Sequence, residues 1–373
     1  MKAVIVNCFD TYEDRVDLVH EFFEDNGYDV TVIQSDFRHF KKIHRKEKKD
    51  GFIFINSKPY YKNMSIARLV SHYRFANDAF KVVEEIKPDL LYVFVPPNSL
   101  AKFAAEYKKK FKDVKLLFDI IDLWPETMPI GKMKKFPPFT FWKLMRDKSL
   151  NYADLVITEC DLYQLVLGNL LREIKTKTVY FAKKDIEVIS NPLLSEEEIH
   201  LCYLGSINNI IDILKIREII KDIQKIKPVT LHIIGDGESR QTLIEAVKAA
   251  GAEVVYHGKV YNSQEKQDIF DKCHFGLNIM KESVCVGLTM KSIDYFQHGL
   301  PIINNIQEDT SKFVDKYKVG ININSSNMDK ELERFIINYR LLINRNNCRK
   351  LYNEELSVEA FNSKFITILD YIK

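Results

Sequence analysis

The sequence predicts an α/β protein of two domains, each a doubly wound parallel sheet, facing one another across a cleft. Three observations carry that expectation. Short β-branched and aromatic runs alternate with helical patterns along almost the whole chain, the mark of parallel βαβ units. The alternation breaks once, at Asn191-Pro192 and the polar run Ser195-Glu-Glu-Glu198. A chain of 373 residues, 46% of them hydrophobic, is also too long for one ordinary domain and apolar enough to bury two cores.

In the first half, strands are expected at Lys2 to Cys8, Asp29 to Gln34, Gly51 to Asn56, Leu90 to Val95, Lys115 to Ile120, Leu155 to Thr158 and Ile186 to Ile189. Helices are expected between them at Asp14 to Asp25, Ser65 to Ile86, Leu100 to Phe111 and Asp161 to Leu171. Proline biases the residue before it away from helix, so Asn191-Pro192 reads as a hinge. The alternation then resumes with strands at His200 to Leu204, Thr230 to Ile234, Glu253 to His257, Phe275 to Ile279 and Pro301 to Asn304. Helices at Ile210 to Ile226, Ser239 to Ala250, Glu265 to Lys272 and Lys291 to His298 separate them, and a helical end covers roughly 329–373. The expected domains are 1–192 and 193–350, with a last helix, 351–373, packing back on the first. Ligands of open α/β sheets sit beyond the carboxyl ends of the strands, which makes the cleft the expected active site.

The six cysteines form no C-x-x-C pair, and no histidine cluster has metal-ligand spacing, so neither a zinc site nor a disulfide framework is expected. The first residues run directly into a buried strand without a basic leader, which argues against a signal peptide. No apolar run approaches the ~20 residues of a membrane-spanning helix. A cytoplasmic protein, soluble or peripheral on the inner face of the membrane, is expected. Net charge is +3, unevenly placed, with 32 basic against 27 acidic residues up to position 190 and 12 against 6 within 101–150. A basic face suits an anionic membrane surface or a lipid diphosphate, though a solvated lysine surface gives the same count. Gly131 to Arg146, GKMKKFPPFTFWKLMR, interleaves lysine with aromatic residues. It fits either an interfacial amphipathic segment or a covered helix.

The richest stretch is Glu282 to Asn304, ESVCVGLTMKSIDYFQHGLPIIN, where a glycine turn enters a short helix that leaves through Gly-Leu-Pro into an apolar strand. Such a turn aims backbone N–H groups and a helix N-terminus at an anion, although an ordinary αβ turn has the same punctuation. Gly205-Ser206, after a strand, is either a phosphate approach or a tight turn. In the first half, Phe118-Asp-Ile-Ile-Asp-Leu-Trp-Pro-Glu126 ends a buried strand with acids and an indole where such folds do chemistry. The alternative is an acid capping the next helix.

These segments resemble those of family 4 glycosyltransferases of the GT-B fold, which has two Rossmann-like domains. Gly287, Thr289, Lys291, Asp294, Tyr295, Gly299 and Pro301 fill the places of that family's donor segment, with Leu288 among the implied donor-binding residues, and Gly235-Asp-Gly-Glu-Ser-Arg240 is similar to its Gly-Asp-Gly-x-x-Arg. The resemblance implies that Asp294 holds the ribose hydroxyls, that Lys291 and the turn amides, with Gly205 and Ser206, hold the diphosphate, and that the backbone of Lys259 or Val260 meets the base. It places a second acid, reaching the donor sugar, eight residues before Asp294; Val286 stands there, and the nearest upstream acid is Glu282. The arginine and lysine that the family sets after its first glycine turn have no counterpart at Ser206 or in 210–212.

Asp-Leu-Trp-Pro-Glu is similar to a segment of bacterial polysaccharide enzymes of that family, on the acceptor side. It implies Asp122 as hydrogen-bond partner or general base for the acceptor hydroxyl, with Glu126 and Trp124 beside it. Tyr60, Asn63 and Arg68 match a Tyr-x-x-Asn-x(4)-Arg segment, and Tyr12 lies in the first loop, where the usual Gly-Gly is missing. The implied activity is retaining transfer of a sugar from a nucleoside diphosphate sugar to a saccharide hydroxyl, the acceptor lipid-linked, as in capsule, exopolysaccharide or O-antigen assembly. No metal or other cofactor is implied, and no nucleic-acid partner. A sugar-nucleotide 2-epimerase of the same fold and a non-catalytic partner subunit of a transferase remain as alternatives.

Overall fold

The computed structural model describes residues 1–62, 65–128, 130–137, 139–323 and 339–372. It divides into two compact units, Met1–Phe181 with Phe361–Lys373, and Ala182–Ala360.

In the first unit the chain runs β1 (Lys2–Asn7), α1 (Glu13–Asp25), β2 (Asp29–Ser35), the short antiparallel pair β3 (Phe37–Arg38) and β4 (Ile43–His44), β5 (Phe52–Ile55), α2 (Ile66–Ile86), β6 (Leu90–Val95), α3 (Asn98–Lys110), β7 (Lys115–Ile120), α4 (Phe139–Leu150), β8 (Leu155–Thr158), α5 (Asp161–Leu167) and β9 (Thr176–Thr178). The main sheet is parallel, ordered β5-β2-β1-β6-β7-β8-β9. Helices on both faces explain why Leu90–Val95 is apolar on every residue: all six side chains are buried. Each such aliphatic side chain contributes roughly 1.5–3 kcal/mol on leaving water. Ser65 stops the preceding loop and starts α2, its hydroxyl accepting from the Arg68 amide (3.2 Å). Lys87, in the left-handed region, ends it.

The second unit runs β10 (Ile199–Leu204), α6 (Ile213–Gln224), β11 (Val229–Ile234), α7 (Arg240–Ala249), β12 (Glu253–Gly258), α8 (Ser263–Phe270), β13 (Phe275–Asn278), α9 (Met290–Gln297), β14 (Ile302–Asn304), α10 (Asp309–Tyr317), β15 (Gly320–Asn322) and α11 (Arg345–Leu351). A last helix, α12 (Val358–Ile372), follows, and from Phe361 it belongs to the first unit, where Phe365 packs on Phe22, Phe23 and Tyr92. The second sheet is parallel, ordered β12-β11-β10-β13-β14-β15.

Two expectations need correcting. Ile186–Ile189 forms no strand; the seventh strand of the first sheet is β9, a polar Thr-Lys-Thr edge that shows no hydrophobic run. The helix α10 and strand β15 also escaped the sequence reading, because β15 is short and opens on Gly320. Part of the expected C-terminal helical end, at 329–338, lies outside the described residues. Among the described residues no helix is long and apolar enough to cross a membrane.

Candidate active site

Strand order locates the sites. In the second sheet successive strands are added outward from β10 through β11 to β12, and then on its other side from β13 to β15, so β10 and β13 flank the point where the winding reverses. Loops beyond the carboxyl ends of such a pair diverge and leave room for a ligand.

The sequence-predicted donor residues cluster there. Gly205 closes β10 at φ +118°, a conformation that suits a residue without Cβ. Gly235 packs against it so closely that a Cβ would lie 2.0 Å from the Gly205 carbonyl oxygen, giving the Gly-Asp-Gly segment an architectural role. Ser206 is exposed, and its carbonyl accepts from the Tyr203 hydroxyl (2.9 Å). Opposite, the loop after β13 is stitched to the loop after β10: Ile211 and Met280 form an antiparallel bridge, and the Lys281 amide donates to the Ile210 carbonyl (3.0 Å).

Thr289 caps α9. Its hydroxyl accepts from the Ser292 amide (3.2 Å) and donates to Asn278 Oδ1 (3.0 Å). Asn278 continues into a row across the strand ends: its Nδ2 donates to Asn304 Oδ1, and Asn304 Nδ2 donates to Asn322 Oδ1, both 2.8 Å. Gly287 is held from the other side, its carbonyl accepting from the amide (2.9 Å) and hydroxyl (2.6 Å) of Thr310, and Leu288 is buried. The turn is therefore rigid, and the first amides of α9 lack intrahelical partners.

Lys291 follows on that helix. Its Nζ lies 4.5 Å from the centre of the Tyr203 ring, and among the described residues no carboxylate comes within ion-pairing distance. Burial pushes its pKa down to about 8. A partly desolvated cation beside orphan amides is a site for an anion.

Asp294 sits one helical turn on, with Lys183 (2.8 Å) and Lys266 (3.3 Å) both on Oδ1. No hydrogen bond among the described residues reaches Oδ2, so that oxygen can accept from a hydroxyl. Glu282 has a side chain 69% exposed, and lies 3.6 Å from Lys215 Nζ. At the far strand end Val260 is buried and Lys259 exposed, just past β12.

Lys215 is the residue that fixed spacing missed. The loop after Gly205 is longer than the resemblance supposes, and α6 begins only after Asp212, which caps it by accepting from the Lys215 amide (3.0 Å). The chain thus carries a lysine in the first turn of the helix that follows β10, just past 210–212.

In the first unit winding reverses between β1 and β6. An aromatic cluster fills the carboxyl ends there. Trp124 packs on Phe9 (5.4 Å between centres), His72 (6.2 Å) and Trp142 (5.4 Å). The Arg68 guanidinium lies 4.6 Å over Trp124 and 5.8 Å over Tyr60. Tyr60 is buried, its hydroxyl hydrogen-bonded to His39 Nδ1 (2.7 Å) and His72 Nε2 (3.4 Å). Tyr12 is half-buried at the edge of the cluster, against Phe9 and Phe181. Asn63 lies outside the described residues. His72 was not anticipated; it stands four residues after Arg68 on α2, and that spacing places both on one helix face.

The two acids of the Asp-Leu-Trp-Pro-Glu segment differ sharply. Asp122 accepts from Trp124 Nε1 (2.6 Å) and from the Thr127 hydroxyl (2.5 Å), and burial raises its pKa against those bonds. Glu126 grips Arg146 bidentately (2.9 Å twice) and Lys143 (2.9 Å). Burial alone would raise its pKa, but these cations outweigh it and hold the carboxyl below its usual range. Glu126 thus acts as the anchor of α4, and Asp122 is the more basic carboxylate. Asp119, also in the expected acidic strand end, is wholly buried on Arg15.

Comparison with known proteins agrees with this architecture. Residues 198–338 match the family model described as glycosyl transferases group 1. The whole chain is similar to solved structures: sucrose-phosphate synthase from Thermosynechococcus elongatus (12% identity, 99% of this chain and 98% of that one, TM-score 0.71), the lipopolysaccharide outer core galactosyltransferase WaaB (14%, 99% of each, 0.69) and Anabaena HepE in complex with UDP (12%, 99% and 100%, 0.67). The fold is GT-B. Among curated proteins none matches the sequence. The matched domain is that of a transferase enzyme, and it spans the elements that carry Gly205, Lys215, Lys291 and Asp294.

Proposed function

We propose that the chain is a retaining glycosyltransferase that moves a sugar from a nucleoside diphosphate sugar to a hydroxyl of a lipid-linked saccharide during surface polysaccharide assembly. The observation that carries this reading is Lys291, a cation on the Tyr203 ring with no carboxylate partner among the described residues, beside the turn amides at the switch point of the second sheet. A diphosphate completes that arrangement better than any group of the chain. HepE binds UDP, which supports a uridine nucleotide as the first ligand to try.

In this reading Thr289 and the amides of the turn and α9 hold the diphosphate, and Lys291 and Lys215 neutralise the charge that grows on it as the glycosidic bond breaks. No metal cofactor is needed for that task. Asp294 Oδ2 accepts from a ribose hydroxyl, the base lies against Lys259 and Val260, and Glu282 reaches toward the donor sugar from its exposed loop. Asp122, with Trp124, Tyr12, Tyr60 and Arg68 on the same side, receives the acceptor and takes up its proton. The protein works in the cytoplasm, peripherally on the membrane.

A thermal-shift screen of nucleoside diphosphates and their sugars tests this on wild type, Lys291→Met and Asp294→Ala. Stabilisation of wild type by a uridine, thymidine or guanosine diphosphate, lost in both variants, is expected. Equal stabilisation of all three proteins would remove the donor assignment. Turnover of the nucleotide sugar that does not depend on an added saccharide would instead favour a sugar-nucleotide 2-epimerase.

A further inference from the structure

A cavity of about 310 Å³ opens in the first unit between α2, α3 and α4. It falls at the lower end of ligand-sized pockets, roughly 300–1,000 Å³. Its walls are Leu69 and Val70 from α2 and Phe141, Trp142 and Met145 from α4. The polar groups within it are few. Ser99 turns its hydroxyl onto the His72 carbonyl (3.3 Å), and the Tyr73 hydroxyl accepts from Lys102 (2.9 Å). The interior therefore offers almost nothing to hydrogen-bond and selects a hydrocarbon.

Two features say what kind. At the rim Arg74 is exposed, and among the described residues no carboxylate lies within ion-pairing distance of it, while Phe141 beside it is 64% exposed. An apolar hole with a cation at its lip fits an amphiphile with an anionic head. Second, the inner wall is shared with the acceptor-side cluster. Trp142 lines the cavity and packs on Trp124 (5.4 Å), and the Ser99 hydroxyl binds the carbonyl of His72, whose ring lies against Trp124 and Tyr60. The cavity and the acceptor-side cluster are thus two sides of one wall.

We infer that this cavity binds the hydrocarbon chain of the acceptor's own lipid phosphate carrier, with Arg74 on the phosphate; the inference deepens the proposed transferase reading and rests on its acceptor. Bulk bilayer lipid and a second copy of the chain are the rival occupants. A lipid bilayer would be engaged by Phe141 and the lysines without filling the cavity, whereas a carrier chain must enter it.

Both tryptophans of the sequence, Trp124 and Trp142, stand at this wall, so intrinsic fluorescence reports occupancy directly. The full-length protein is titrated below micelle formation with farnesyl phosphate, farnesol and inorganic phosphate. Saturable quenching by farnesyl phosphate is expected, with farnesol about tenfold weaker and phosphate silent. Val70→Phe, which fills the cavity, should weaken farnesyl phosphate by about tenfold or more. Arg74→Glu, at an exposed position, should abolish the preference over farnesol. The thermal midpoint of each variant shows that the first unit is folded, and nucleoside diphosphate binding to the second unit is measured alongside. Farnesyl phosphate that fails to saturate, or binds both variants as it binds wild type, overturns the inference, as does dimerisation on its addition with unchanged quenching in Val70→Phe. If farnesyl phosphate binds but no nucleoside diphosphate does, the transferase reading falls and the lipid cavity stands; the reverse result sinks the cavity alone.

Discussion

Lys291 Nζ lies 4.5 Å above the Tyr203 ring and is matched by no carboxylate among the described residues. An ammonium so placed is stabilised by the ring quadrupole yet loses much of its hydration. Burial lowers its pKa to about 8, so the folded chain holds this proton less tightly than the unfolded one. The charged form then costs stability at neutral pH, and that cost is relieved as pH rises from about 8 toward the ordinary lysine range near 10.5. Lys291→Met is expected to raise the thermal midpoint of the ligand-free protein at pH 7 and to weaken nucleoside diphosphate binding by about 1.5–3 kcal/mol, roughly 10- to 150-fold.

The same proton sets a pH dependence for binding. A bound diphosphate favours the ammonium, so affinity should be flat below pH 8 and decline above it as the free protein loses the charge. Calorimetric titration of a nucleoside diphosphate from pH 7 to 9.5 checks this. A decline of the same size in Lys291→Met would exclude Lys291 as its source.

Asp122 and Glu126 are four residues apart and chemically unlike. Burial raises the pKa of Asp122, and its partners are neutral donors, whereas Glu126 is clamped by Arg146 and Lys143. Asp122→Asn should lower transfer by about 10²-fold or more while leaving nucleotide binding unchanged. Glu126→Gln should act through stability, loosening α4, with the thermal midpoint falling in step with activity. Retained midpoint and lost transfer in Glu126→Gln would reverse the two roles.

How much of this was legible depends on which signal each element left in the chain. The buried strands announced themselves, β6 most clearly, because a sheet covered on both faces must be apolar at nearly every position. β9 did not, since an edge strand of Thr-Lys-Thr buries little and is fixed by pairing with β8. The glycine turn into α9 was readable from Gly287 and Thr289, because entering and capping a helix dictates those residue types locally. Lys215 was not, for its place depends on where Asp212 lets α6 begin. Nor was the clustering of His39 and His72 on Tyr60, which three separate segments create only when folded.

Asp119 shows the converse, an acid at a strand end whose work is structural. It accepts from Arg15 Nε (2.7 Å) and Nη2 (3.1 Å) and from the Tyr92 hydroxyl (2.5 Å), all without exposure to water. Removing one partner leaves an uncompensated buried charge. Arg15→Met should therefore destabilise the first unit by about 3–5 kcal/mol, and Arg15→Met with Asp119→Leu should recover much of the loss. Denaturant titration of the two variants decides it; additive losses in the double variant would mean the pair is held for packing and not for charge.

Three histidines of the second sheet stand in a hydrogen-bonded row. His200 Nδ1 meets His232 Nε2 (2.9 Å), His232 Nδ1 meets His257 Nε2 (3.0 Å), and the row ends on Glu198, which lies 2.9 Å from His200 Nε2. Each N–H···N contact needs one proton, so a chain of neutral rings is satisfied and an added proton breaks a bond. Burial, then the charges of His200, His257 and Lys272, push His232 down to about 4, against a smaller pull from Glu198. His274, stacked on His200, is also depressed to about 4, chiefly by burial. Groups that refuse protons in the folded state stabilise it above their unfolded pKa, near 6.5, and lose that contribution as pH falls through 4. The thermal midpoint of the second unit should drop steeply between pH 6.5 and 4, with His232 responsible for on the order of 2 kcal/mol. In His232→Gln the starting midpoint should be lower and the slope across that window shallower. A variant with an unchanged slope would assign the acid sensitivity to other buried histidines of that unit, such as His274 or His298.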